Sequence, residues 1–168
     1  FFVYGVRSSL GERLTRFFLH DWPQAVRSLW IDTLISLALL LAGVLVGYAL
    51  VAQDPAWYNA FVSQDMAGGR DPIASTERLR ETLYDGGSDY LGVFATFLFT
   101  HNAQIAILAF ALGFAFGVPT ALLLIYNGSV VGAFLALFVS RGLGMELGGW
   151  LLIHGTTELF AIVLAGGA

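Results

Sequence analysis

Between Trp30 and Ala52 the chain runs for 23 residues with one charged side chain, Asp32, and that charge sits at the edge beside Trp30. A helix needs roughly 20 apolar residues to cross the hydrocarbon of a bilayer. The run therefore predicts a first transmembrane helix over 30–52. Tyr48 marks its far end, with Trp57 and Tyr58 just beyond, and Trp30 stands at the near end. Aromatic side chains favour both membrane interfaces, so the flanks agree with the span.

The rest of the chain is made of the same material. Of 168 residues 57% are hydrophobic and 12% charged, and the mean hydropathy is +0.75. A soluble domain carries about 25% charged residues, roughly twice as much. The expected fold class is all-α: a polytopic α-helical integral membrane protein. The net charge of −4 argues against a nucleic-acid partner. With no cysteine, disulfides and thiolate metal sites are excluded. The chain opens at Phe1 without Met and stops at Ala168 inside an apolar run, which leads us to expect a segment of a longer protein, truncated at its C-terminus.

Four regions follow from the pattern. Residues 1–29 form an N-terminal region whose stretch 5–20 reads as an amphipathic helix, with Leu10, Leu14, Phe17 and Phe18 on one face and Arg7, Glu12, Arg13 and Arg16 mostly elsewhere. Such a helix lies in the headgroup layer. Asp21-Trp22-Pro23-Gln24 reads as a break and a restart, with Asp21 capping a new helix. Residues 30–52 are the first span. Residues 53–89 hold seven acids and three Arg and form an extramembrane loop too short for a core of its own, expected on the membrane surface. Thr76 to Tyr84 is a short helix within it, with Leu79 and Leu83 on one face. Residues 90–168 are a helical membrane domain. Its breaks are expected at His101-Asn102, Pro119 and Asn127-Gly128, giving a shallow helix over 89–100, a span over 103–126 and a short or half-span helix over 129–140. Four Arg precede the first span and three follow it in the loop, which votes for a cytoplasmic N-terminus in a bacterial inner membrane, crossed several times.

Two patterns carry candidate functional residues. Gly pairs at four-residue spacing, Gly43/Gly47, Gly113/Gly117, Gly128/Gly132 and Gly144/Gly148, allow close helix packing in lipid and are compatible with a homo-oligomer. The sharper pattern is His154-Gly155-Thr156-Thr157-Glu158. On one continuous helix His154 and Glu158 share a face, with Thr157 beside them. An ionisable residue deep in a span is a functional hypothesis by default. The pair could ligate a metal or pass a proton, with His101, Asn102 or Asn127 completing an intramembrane polar cluster, but zinc wants three or four ligands. The plainer reading is a hydrogen-bonded pair that holds helices together, Glu158 being protonated or paired with Arg141. We prefer it because no partner ligands are identified. No phosphate loop, dinucleotide fingerprint, metalloprotease motif or nucleophile elbow is present, so no enzyme activity and no cofactor is expected.

The stretch from Thr100 to Ala168 resembles the stage II sporulation protein M family. The matching residues are His101-Asn102, where the family tends to have paired Asn, Ala109 to Gly113 with Gly117, Tyr126-Asn127-Gly128 with Gly132, and His154-Gly155 through Glu158 with Ala161-Ile162. Phe17-Phe18 to Pro23 and Arg27 look like the family's lead-in. The resemblance implies a polytopic α-helical membrane protein. The family's namesake anchors peptidoglycan-degrading partners during spore formation, so the expected partners are the lipid bilayer and other membrane or envelope proteins. A carrier or channel that uses His154 and Glu158 for an ion or metal is the alternative. An auxiliary subunit of a larger membrane complex is a third reading.

Overall fold

Ser9-Leu10-Gly11-Glu12 opens the first helix with a capping box. The Ser9 hydroxyl accepts the Glu12 N–H at 3.2 Å, and the Glu12 carboxylate accepts the Ser9 N–H at 3.0 Å. The computed structural model describes residues 9–84 and 88–168, with the side chains of 88–95 and of His154 outside the described set. Residues 5–8 of the expected amphipathic helix also fall outside it. Helix α1 (Leu10–Arg16) continues through a π turn (Phe17–Asp21) into α2 (Trp22–Ser28). The expected break at Asp21 is therefore corrected: Asp21 is helical and caps nothing. A wider turn, closed by the Trp22 N–H on the Phe17 carbonyl, carries the helix up to Pro23, whose missing N–H is tolerated in the first turn of α2. The chain breaks instead at Leu29. No residue of α1 is buried, and Leu14, Phe18, Leu19 and Trp22 are exposed on the described chain.

The apolar run forms α3 (Trp30–Gln53), 24 residues and so about 36 Å long, enough to cross hydrocarbon. Asp54 accepts the Ala56 N–H at 2.9 Å and starts a 3₁₀ turn at Pro55–Trp57. Helices α4 (Tyr58–Phe61), α5 (Gln64–Ala67) and α6 (Thr76–Tyr84) follow. Helix α7 (Ser88–Leu112) and α8 (Val118–Ser140) are long and apolar. The chain ends in two half-length helices, α9 (Gly144–His154) and α10 (Thr156–Gly167). The fold is all-α, with no strand among the described residues. Among those residues α3 and α8 are each long and apolar enough to span a membrane, and α9 with α10 makes a third candidate, bent by 66°.

The breaks expected within 90–168 move. Asn102 lies inside α7 and Asn127-Gly128 inside α8. The turn sits at 113–117 instead, where Phe116 (φ 55°) and Gly117 (φ 70°) adopt left-handed backbone and reverse the chain. Thr120 clamps the reversal by donating to the Ala109 carbonyl at 2.8 Å. The stretch 129–140 is thus the second half of a full helix, and the half-length helices are α9 and α10. The physical reason is that a turn at Asn127-Gly128 would leave backbone groups unpaired between helices, where no water reaches them. Gly128 serves a different purpose there. A Cβ on it would lie 2.1 Å from the Leu40 carbonyl oxygen, and one on Gly132 would lie 2.1 Å from that of Val44. Reciprocally, Gly43 and Gly47 face the carbonyls of Ile125 and Ser129 at 2.1 Å. The residue numbers rise together along this contact, so α3 and α8 run parallel, backbone on backbone. Gly113 and Gly117 do not share in it, since both belong to the 113–117 turn, and Gly148 has nothing within 4 Å.

Parallel α3 and α8 fix the topology. Helix α7 runs back in the opposite direction beside α8 and α10, and α10 descends until Gly167 meets the backbone of Asp32 and Thr33 at the start of α3. The N-terminal helices, the 113–117 turn and the end of α10 lie on one side. Residues 54–84 and the turn at 141–143 lie on the other. Mid-depth, Leu40, Ile105, Leu124, Ile162 and Val163 join α3, α7, α8 and α10 in one apolar cluster.

The loop does not simply lie on a surface. Tyr58, Val62, Ala67, Leu79 and Leu83 form one core with Val130, Ala133, Leu137, Phe138, Leu143 and Leu147 of α8 and its neighbours, so residues 54–84 are a cap seated on the helix ends. Tyr58 is fully buried, edge-on to Phe134 at 5.8 Å, and its hydroxyl donates to the Arg70 carbonyl. The buried Arg70 guanidinium donates to the Thr82 carbonyl at 2.9 Å, and Arg141 donates to the Pro72 carbonyl at 2.6 Å. A strand of loop too short for its own core has borrowed that of the spans.

Candidate functional site

The bend between α9 and α10 has a local cause. Gly155 tolerates the break, and Thr156 donates its hydroxyl to the Leu152 carbonyl at 2.9 Å, a side-chain bond that bends helices. His154 ends α9 and Glu158 lies in the first turn of α10. They flank the bend, so the premise of one continuous helix with a shared face is corrected. The side chain of His154 lies outside the described residues. Thr157 is exposed on the described chain and does not join the cluster.

Glu158 is held from another helix. The Asn102 amide of α7 donates to its carboxylate, a bond between residues far apart in sequence. Asn102 is 8% exposed. Arg141, the cation expected as an alternative partner, is tied to Pro72 at the cap instead. A side-chain hydrogen bond between helices in a membrane is worth about 0.6 kcal/mol on average and up to about 2 kcal/mol.

Next to this bond a cavity of about 90 Å³ opens between α7, α8 and the bent pair, under the cap. His101, Asn102 and Asn127 line it from α7 and α8, Trp150 and Gly155 from α9 and the bend, and Arg70 from the cap. The remaining wall is apolar, including Phe97, Val130, Phe134 and Leu147. Asn127 is 4% exposed. His101 stacks on Phe97 with ring centres 6.2 Å apart. The structure thus brings His101, Asn102, Asn127 and Glu158 into one neighbourhood. Among the described residues no three His, Asp or Glu side chains converge to hold a metal ion.

Two residues of this region escaped the sequence reading. Arg70 and Tyr58 lie in a segment read as loop, and their signal is weak: an Arg between Gly-Gly and Asp-Pro, and a Tyr read as an interface marker. Burial pushes the Tyr58 phenol well above its ordinary value of 10, with the Arg70 charge opposing. Burial likewise pulls the Arg70 guanidinium down to about 10. Gly166 and Gly167, which meet Leu124 and Thr33, were not read as packing positions either.

The family model for stage II sporulation protein M matches residues 36–168, which is 133 of the 168 residues and takes in the whole cavity and the Asn102–Glu158 bond. The chain belongs to the stage II sporulation protein M family. The lead-in from Phe17 to Arg27 lies outside the matched residues. No curated protein and no solved structure matches the chain. Family membership and the apolar helices together make it a membrane protein of this family.

Proposed function

We propose that this stage II sporulation protein M family chain is a non-enzymatic, multi-pass protein of a bacterial cytoplasmic membrane that assembles with other membrane or envelope proteins. The cap carries the reading. Two buried or half-buried bonds, from Tyr58 to the Arg70 carbonyl and from Arg70 to the Thr82 carbonyl, brace the cap internally, and the bond from Arg141 to the Pro72 carbonyl together with the shared apolar core seats it on the helix ends. Its tip presents Ile73, 94% exposed, in a turn closed by the Asp71 carboxylate on the Ile73 N–H at 3.0 Å. A rigid platform offers contact at little entropic cost, which is what an assembling protein needs. The intramembrane Glu158 carboxylate, bonded to Asn102, supports the same reading: it ties α7 to α10.

The cap faces away from the cytoplasm in this proposal. Arg141 ends a helix parallel to α3, so it joins the cap side, and Arg is even at four on each side. The Arg tally then gives no vote. The amphipathic α1 decides instead, since its Arg13 and Arg16 suit the anionic cytoplasmic leaflet. The cap side holds Asp54, Asp65, Asp71, Glu77, Glu81 and Glu146, which that leaflet would repel.

The test is a photo-reactive residue at Ile73, cross-linked in native membranes, with Leu122 on the exposed face of α8 as the lipid-facing control. A defined protein adduct at Ile73, absent at Leu122, is expected. An adduct to a second copy would name the chain itself as the partner. Cap positions that yield no protein adduct would overturn the proposal. The alternative of an ion or metal carrier draws on the polar wall of His101, Asn102 and Asn127 near Glu158, and predicts that this wall, not the cap, is needed for activity in cells.

A further inference from the structure

We infer that the cavity beneath the cap is a binding site for a small neutral molecule with one hydrogen-bonding end and an apolar body. The polar end of the cavity is the Asn127 amide. This amide is 4% exposed, lines the cavity, and makes no hydrogen bond to another described residue. Its oxygen and its two N–H donors are therefore offered to whatever fills the space beside it. Asn102 differs, because its amide nitrogen is committed to Glu158.

Size and wall chemistry define the ligand. A cavity of about 90 Å³ by the measure that gives a water about 10–15 Å³ has room for roughly six waters. Each buried water wants two to four polar partners, and that wall is mainly Phe97, Leu98, Val130, Val131, Phe134 and Leu147. Six waters cannot be satisfied there. One amphiphile can: its polar end meets Asn127 while its body covers the aromatic and aliphatic wall. An engineered apolar cavity of about 150 Å³ takes benzene, so this one suits a body of about four to six heavy atoms. The ligand is neutral because the Arg70 guanidinium that lines the cavity from the cap is committed to the Thr82 carbonyl and Glu158 is not among the lining residues, so the described wall leaves amides, an imidazole and hydrocarbon to meet it. This is the common anatomy of small-molecule sites, mostly apolar with a few placed polar groups.

Cyclopentanol, with cyclopentane as its apolar counterpart, is the probe. The full chain is reconstituted in nanodiscs, and ligand-observed NMR gives the affinity while thermal unfolding gives the stabilisation. Wild type is expected to bind cyclopentanol more tightly than cyclopentane. Asn127→Leu should weaken cyclopentanol by about five- to tenfold, one hydrogen bond's share, and leave cyclopentane unchanged. Val131→Phe, which fills the space, should abolish both, and helical content by circular dichroism checks that each variant is folded. Equal binding of both probes by wild type and Asn127→Leu would mean lipid partition only, and would overturn the site. So would the absence of any saturable binding to folded wild type.

Discussion

Replacing Gly128 by Ala tests the parallel α3–α8 contact directly. The new Cβ would lie 2.1 Å from the Leu40 carbonyl oxygen and 3.0 Å from the Val44 nitrogen, both backbone atoms that cannot rotate aside. Ordinary contact begins at 3.4 Å, so the helices must part by about 1.3 Å along this line. A radial gap of about 0.5–1 Å already forfeits a quarter to a half of a dispersion contact, and the loss spreads over neighbours on the same stripe. Overpacking of this kind costs typically about 1–3 kcal/mol, and a backbone obstacle places Gly128→Ala at the upper end, about 3 kcal/mol. Ala's better helix propensity returns at most about 1 kcal/mol. The expected net loss is about 2 kcal/mol. Gly148→Ala is the control: its Cβ meets nothing within 4 Å, so it should gain about 0.5–1 kcal/mol by propensity alone. Reversible SDS titration in mixed micelles measures both. If Gly128→Ala is as stable as Gly148→Ala, the close-contact argument is wrong.

Three further outcomes are expected. Asn102→Leu leaves the Glu158 carboxylate without its partner and should cost about 1–3 kcal/mol, while Asn102→Leu with Glu158→Leu should be milder than either single change; a double mutant as unstable as the sum of the singles refutes the pairing. The Tyr58 phenol is held protonated above its ordinary 10, so the stability it contributes is full below pH 10 and lost as pH rises beyond it, whereas Arg70, pulled down to about 10, disfavours the folded cap below pH 10 and less above it. Tyr58→Phe should therefore remove the highest-pH part of the ultraviolet phenolate titration and spare the cap its alkaline loss, and an unchanged titration would contradict the burial. Because the chain has no cysteine, Glu77→Cys and Phe114→Cys each give a single label site; an impermeant reagent should reach the first in intact cells and the second only after permeabilisation, and the reverse pattern would invert the orientation.

The helix at Trp30–Gln53 was legible because its signal is local: an apolar helix satisfies its own backbone, so about twenty apolar residues with aromatic flanks decide the outcome whatever packs beside them. The all-α class was legible for the same reason, and the short helix at Thr76 to Tyr84 from another local signal, Leu79 and Leu83 four residues apart on one face. The spacing of Gly43/Gly47 and Gly128/Gly132 was also in the sequence, but Gly113/Gly117 has the same spacing and forms a turn, because the pattern states only that a backbone can come close and not which backbone arrives. Asn127-Gly128 carries a turn signal that burial against α3 overrides. His154 and Glu158 look paired at four residues, yet Gly155 and the Thr156 hydroxyl bend the helix between them, and the carboxylate finds Asn102, which lies 56 residues earlier. The cap found its core in α8 for a similar reason. Helix formation is decided within a segment, whereas partner choice among helices is decided by side chains and backbones that meet only after the helices have formed and packed.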